Sequence, residues 1–170
     1  MSNMPPTSPN APMKDTITMG LQEALRMENS SVEKLNMMIA DATDPKMREK
    51  LQHHLDETNE QIQRITTRLQ QLGIPATAEK ANAPPIILEP GTPTLSSQEK
   101  LMAEVKNGYA WENFEIAHYE FLKHQADNVD DKDTKKVAEH NQKEEKDFAD
   151  DIEHLIPDLV NSGLAGPAKS

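Results

Sequence analysis

The chain contains no cysteine. Disulfide scaffolds, thiolate metal sites and cysteine nucleophiles are therefore excluded, and a reducing cytosol is compatible with the composition. Aromatic residues are scarce, at 4%. A β-sandwich would need more aromatic and β-branched residues. Here Met, Leu, Ile and Ala supply most of the apolar surface, which suits helices. Basic residues number 18 against 29 acidic ones, a formal net charge of −11. Phosphate binding needs a basic footprint, so neither nucleic acid nor an anionic membrane surface is an expected partner. No apolar run approaches the roughly 18 residues needed to cross a bilayer. Met1 to Pro12 is polar and lacks the apolar segment of a secretory signal. The cytoplasm is the expected location.

A 3.6-residue apolar period predicts four helices. The first covers 14–40, with Ile17, Leu21, Leu25, Val32, Leu35 and Ile39 on one face. Asp44 and Pro45 read as the N-cap and first turn of the second, over 45–72. Its stripe is Met47, Leu51, Leu55, Ile62, Ile65 and Leu69, and Gly73-Ile74-Pro75 stops it. Residues 73–96 hold five of the twelve prolines and read as a crossover. The third helix covers 97–127, with Leu101, Val105, Tyr119 and Leu122. The fourth covers 134–155, with Val137, Phe148, Ile152 and Leu155, and Pro157 lies just beyond. Residues 1–13 and 161–170 read as a disordered N-terminal and a flexible C-terminal tail.

Short links after the first and third helices make two antiparallel hairpins. An extended link of about 24 residues reaches about 80 Å, enough to run the length of a helix of about 40 Å. The expected fold is all-α: a four-helix bundle with one long crossover, the ferritin-like arrangement.

Six acidic or imidazole residues fall on or beside the apolar stripes: Glu28, His54, Glu57, Glu112, Glu115 and Glu144. At about 100° per residue, Glu112 and Glu115 lie about +20° and −40° from Leu101. Glu144 lies about −20° from Val137, and Glu28 sits three residues after Leu25 and four before Val32. His54 and Glu57 lie at the margin, about −60° and −120° from Leu51. Glu145 is about +80° from Val137 and reads as a supporting or surface residue. Buried carboxylates are costly unless something positive compensates them. Carboxylates with imidazole suit Fe²⁺, Mn²⁺ or Zn²⁺, so a pair of metal ions is the expected compensation.

Three segments carry a family resemblance. His54-Leu-Asp-Glu57-Thr58-Asn-Glu-Gln61-Ile62, Glu112-Asn-Phe-Glu115-Ile116-Ala117-His-Tyr119 and Glu144-Glu145-Lys146 resemble helix signatures of the YciE/YciF family of small bacterial ferritin-like proteins. Met27-Glu28 fits the family's first-helix glutamate, and Ile156-Pro157 is closer to the YciE branch. The resemblance spans Lys14 to about Val160. It implies a ferritin-like bundle, usually dimeric, with a dinuclear metal site and an association with stress responses. It also implies Glu57 as the second helix's ligand. The resulting expectation is a homodimer holding two divalent ions, iron first and manganese or zinc as alternatives. Such a site would react with O₂ or peroxide, or serve only structure.

Overall fold

The computed structural model describes residues 11–77 and 96–164. Four helices follow in order: α1 (Ala11–Asp41), α2 (Pro45–Gln71), α3 (Ser97–Asn128) and α4 (Lys132–Leu164). The expected four-helix bundle is what forms. Most of the expected 73–96 crossover, like residues 1–10 and 165–170, lies outside the described residues.

Local chemistry sets the helix ends. Asp44 is extended, and its Oδ1 accepts the Met47 amide at 2.8 Å, with Pro45 in the first turn. A first-turn proline loses no hydrogen bond, because the amide it lacks has no partner there. At the start of α3, the Ser96 hydroxyl accepts the Glu99 amide while Glu99 Oε2 accepts the Ser96 amide at 2.8 Å. That reciprocal pair is a capping box. α2 ends at Gly73, whose φ of +73° suits a residue without Cβ.

α4 departs from expectation. Pro157 predicts a stop near Leu155, yet the helix continues through it to Leu164. Leu155 and Leu159, on either side of Pro157, are both buried in one core. Their packing outweighs a proline cost of about 3 kcal/mol.

Pairing of side chains gives the topology. Along α1, Gly20 lies against Leu122, Glu28 meets Tyr119, Ser31 meets Glu115, and Asp41 meets Lys100. α1 and α3 are therefore antiparallel. Along α2, Lys50 meets Asp151, Gln61 meets Glu145, and Arg68 meets Asp131, so α2 and α4 are antiparallel too. The start of α3 thus sits at the Asp41 end, while α2 finishes at the opposite end beside Asp131. The link between α2 and α3 must traverse the bundle.

Two apolar cores fill the bundle. One gathers Leu35, Met38, Leu51, Val105, Phe148 and Ile152 at the Asp41 end. The other gathers Leu21, Leu25, Ile65, Leu69, Tyr119 and Leu122 at the opposite end. The layer between them is polar. No helix among the described residues is long and apolar enough to cross a membrane.

Replacing Asp44 with Ala removes the α2 cap. Stability should fall by about 1 kcal/mol, read as a lower midpoint in urea unfolding followed by circular dichroism.

Candidate metal centre

The polar layer contains five ionisable groups with almost no solvent contact: Glu28 (0% exposed), His54 (1%), Glu112 (3%), Glu115 (0%) and Glu145 (0%). Every helix contributes. Each residue sits on the inward face of its helix, one or two turns from leucine or isoleucine positions that bury in the flanking cores.

Three of the carboxylates share one pattern. One oxygen of each takes a hydrogen bond from a neutral donor. Tyr119 OH donates to Glu28 Oε1, Ser31 Oγ donates to Glu115 Oε1 at 2.8 Å, and Gln61 Nε2 donates to Glu145 Oε1 at 2.5 Å. The other oxygen of each, Oε2, is buried with no hydrogen-bond partner. Glu112 Oε2 and His54 Nε2 are likewise buried without a hydrogen bond, and face each other at 3.4 Å. An orphaned buried acceptor costs about 1–3 kcal/mol, and more when charged.

The five groups act on one another. His54 Nε2 lies 3.4 Å from Glu112 Oε2 and 3.4 Å from Glu145 Oε2. Donor atoms of His54, Glu112 and Glu145 all lie within 4.8 Å of one another. Burial, and then the charges of Glu115 and Glu145, push the Glu28 pKa well above the ordinary carboxylate value. Burial and Glu145 push Glu115 up to about 8. Burial raises Glu145 to about 8 against the pull of His54, with Glu112 adding to the rise. Burial opposes a charged His54, but Glu112, Glu145 and Glu57 outweigh it and hold its pKa well above the usual value.

Further hydrogen bonds hold the neutral donors. Tyr119 OH accepts from Asn141 Nδ2 at 3.0 Å, and Asn141 Oδ1 accepts from Arg64 Nε at 2.9 Å. The Tyr119 proton therefore points at Glu28. Ser31 Oγ accepts from Trp111 Nε1 at 2.8 Å, and its own proton has Glu115 Oε1 at 2.8 Å and the Met27 carbonyl at 3.2 Å as acceptors. The Lys34 ammonium lies 3.0 Å from the Trp111 ring centroid, with no hydrogen-bond partner. Burial lowers its pKa to about 8, against the charges of Glu115 and Glu112.

Of the six sequence-predicted residues, the structure brings Glu28, His54, Glu112 and Glu115 together. Glu57 and Glu144 lie outside the cluster. Glu57 is 25% exposed in its side chain and contacts His53 and His54. Glu144 pairs with Arg64 and with His140 at 3.1 Å, and accepts from Gln61 at 3.1 Å. Its neighbour Glu145 enters the cluster instead. The phase error has a plain origin: Val137, used as the reference, is only partly buried. The inward line runs through Ala138, Asn141, Glu145, Phe148 and Ile152, about 60° away. Asn141 four residues before Glu145 and Phe148 three after it would have marked that line.

His118 forms no part of the cluster and contacts the Gly20 carbonyl at 3.0 Å. Gln61 and Tyr119 were underrated. Tyr119 reads as a packing residue from sequence and Gln61 as part of a polar ridge beside the stripe, and both bond the carboxylates directly.

The donors fit a cation. Donor atoms of His54, Glu112 and Glu145 converge, with Glu28 and Glu115 buried in the same layer, and carboxylate oxygen with imidazole nitrogen is a set suited to hard or borderline divalent ions. Fold and donor set together define a ferritin-like four-helix bundle with an internal carboxylate–histidine cluster. The model of the domain of unknown function DUF892 matches residues 13–165, and the chain belongs to that family. Solved structures, among them a YciF protein, share its fold. The Escherichia coli stress protein YciF superposes with a TM-score of 0.74 at 20% identity, covering 88% of this chain and 97% of that one. YcfI from Rhodopseudomonas palustris gives 0.70 at 25%, covering 83% and 92%. A Bacteroides fragilis bacterioferritin-related protein, described as a dodecameric thioferritin, gives 0.70 at 18%, covering 91% of each. No curated protein sequence matches the chain.

The raised carboxylates set a pH dependence for metal-free protein. A pKa raised on folding stabilises below the unfolded value, near 4.5, and that contribution is lost as pH climbs through about 8. His54 acts in the same direction, since its folded pKa is also raised. Thermal melts in chelator should therefore fall steadily from pH 5.5 to 8.5. A midpoint rising over that range would contradict the assignment of these groups.

Proposed function

We propose that this chain binds divalent metal ions, two of them and iron first, in the cluster of Glu28, His54, Glu112, Glu115 and Glu145. Manganese and zinc are the alternatives. The observation that carries this reading is the paired state of the carboxylates. Each of Glu28, Glu115 and Glu145 has one oxygen oriented by a neutral donor and the other left open and buried. Neutral donors fix direction without cancelling charge. Four carboxylates face one imidazole and one nearby Lys34, so the protein's own cations do not balance the layer.

A bound iron or manganese pair supplies redox chemistry toward O₂ or hydrogen peroxide. The residues confine what reaches it. With all five donors nearly without solvent contact and apolar cores on both sides, small molecules suit this layer and bulky substrates do not. The likeness to a stress protein agrees with a peroxide-related task. The functional unit in this reading is a homodimer. Phe114 and Phe121, seven residues apart on α3 and both exposed, offer an apolar face for such a contact.

A second reading keeps the metals and drops the turnover. Its support is the position of the cluster between two apolar cores, where neutralising carboxylate charge would steady the whole bundle.

Chelated protein titrated anaerobically with Fe²⁺ should bind the metal and melt higher, by roughly 2.7 kcal/mol of stability at a hundredfold excess over Kd. Glu145→Ala should weaken binding at least tenfold, while Glu144→Ala should leave it within about twofold. No metal uptake by native protein, checked by elemental analysis, would end both readings. Equal peroxide consumption by iron-loaded wild type and Glu28→Ala would leave only the structural one.

A further inference from the structure

We infer that Glu57 is the positioning residue of His54: it holds the Nδ1 proton, so that Nε2 is the atom presented to a metal. This deepens the metal-binding reading and rests on it.

Three contacts fix the His54 ring. Its Nδ1 lies 3.3 Å from Glu57 Oε2. Its face stacks on Phe148, with centroids 3.7 Å apart and planes inclined by 13°. Its Nε2, on the opposite edge, is buried, unpartnered and 3.4 Å from oxygens of both Glu112 and Glu145. The stacking sets the plane of the ring, and the carboxylate sets which way round it sits. A ring nitrogen can hold a metal only through its lone pair, so a proton kept on Nδ1 leaves Nε2 free to ligate. A carboxylate behind a ligating histidine has this effect and raises its basicity.

Glu57 suits that task better than ligation. It is one turn further along α2 than His54, an i,i+3 neighbour, so it reaches the outer edge of the ring. The same Oε2 is also 3.3 Å from Nδ1 of His53, which is 73% exposed. Glu57 therefore stands between a surface imidazole and a buried one, turned away from the orphaned oxygens of the cluster. The helical spacing that makes His54-x-x-Glu57 look like a ligand pair instead makes a ligand and its support.

The test uses full-length protein stripped with chelator and titrated with Zn²⁺ against a competing chromophoric chelator. Helicity by circular dichroism checks that each variant folds. Glu57→Ala should weaken Zn²⁺ binding about 10–100-fold with the number of ions unchanged. Glu57→Gln keeps a carbonyl acceptor for Nδ1–H and should recover most of that loss. In the zinc-loaded wild type, long-range ¹H–¹⁵N spectra should show His54 protonated at Nδ1 and metal-bound at Nε2. Loss of one bound ion in both variants would make Glu57 a ligand and overturn the inference. So would metal at Nδ1, or unchanged affinity in Glu57→Ala. Wild type that binds no Zn²⁺, Mn²⁺ or Fe²⁺ at all would instead overturn the metal-binding reading beneath it.

Discussion

The structure is organised around unfinished carboxylates. Oε2 atoms of Glu28, Glu112, Glu115 and Glu145 are buried in the middle of the bundle without a hydrogen bond, and only those of Glu112 and Glu145 have the His54 imidazole near, at 3.4 Å. Elsewhere a bundle satisfies or exposes its polar groups, because an unpaired buried charge is among the most expensive features a fold can carry. Here four buried carboxyl groups share one layer with a single imidazole. The flanking apolar cores make this tolerable, since each end of the bundle carries its own packed cluster, tied to the polar layer through Phe148 and Tyr119.

The surroundings of the cluster are arranged for direction more than for charge. Arg64 donates to Asn141, Asn141 to Tyr119, and Tyr119 to Glu28, so a surface guanidinium orders a core carboxylate through neutral links. Trp111 does the same for Glu115 through Ser31. Gln61 bridges buried Glu145 and half-buried Glu144, while Arg64 takes up the charge of Glu144. The arginines thus serve the rim, and the centre holds four carboxyl groups with His54 as their one imidazole. Raised carboxylate pKa values are the signature of that choice. A divalent ion would do what the protons do, without requiring the oxygens to be neutral.

Much of the fold was legible in the chain. Helical periodicity, the Asp44-Pro45 start, the Gly73 stop and the two short links were enough to specify a bundle with one crossover. Pro157 misled, because proline's local cost is readable and the burial of Leu155 and Leu159 is not. The inward burial of Glu28, Glu112 and Glu115 was readable because their helices have clean apolar references. Glu144 and Glu145 were exchanged because Val137 is a poor one: a one-residue slip on a helix rotates the prediction by about 100°. Gln61 and Tyr119 stand in the helix signatures, but nothing along the chain marks them as partners of the carboxylates. A glutamine or tyrosine on a stripe becomes a site residue only through what faces it across the bundle.

The sequence by itself determined that carboxylates and an imidazole would crowd the inner faces of four helices, since residue type and period are local facts. It also determined that the ends of α2 and α3 would be capped and the crossover long. Only the tertiary structure decided which groups meet. Whether His54 turns Nε2 inward, whether Glu57 stands behind it, and which oxygen of each carboxylate stays open depend on side chains from other helices. Distances of 3 to 4 Å across a helix interface are set by packing, and no spacing along one chain encodes them.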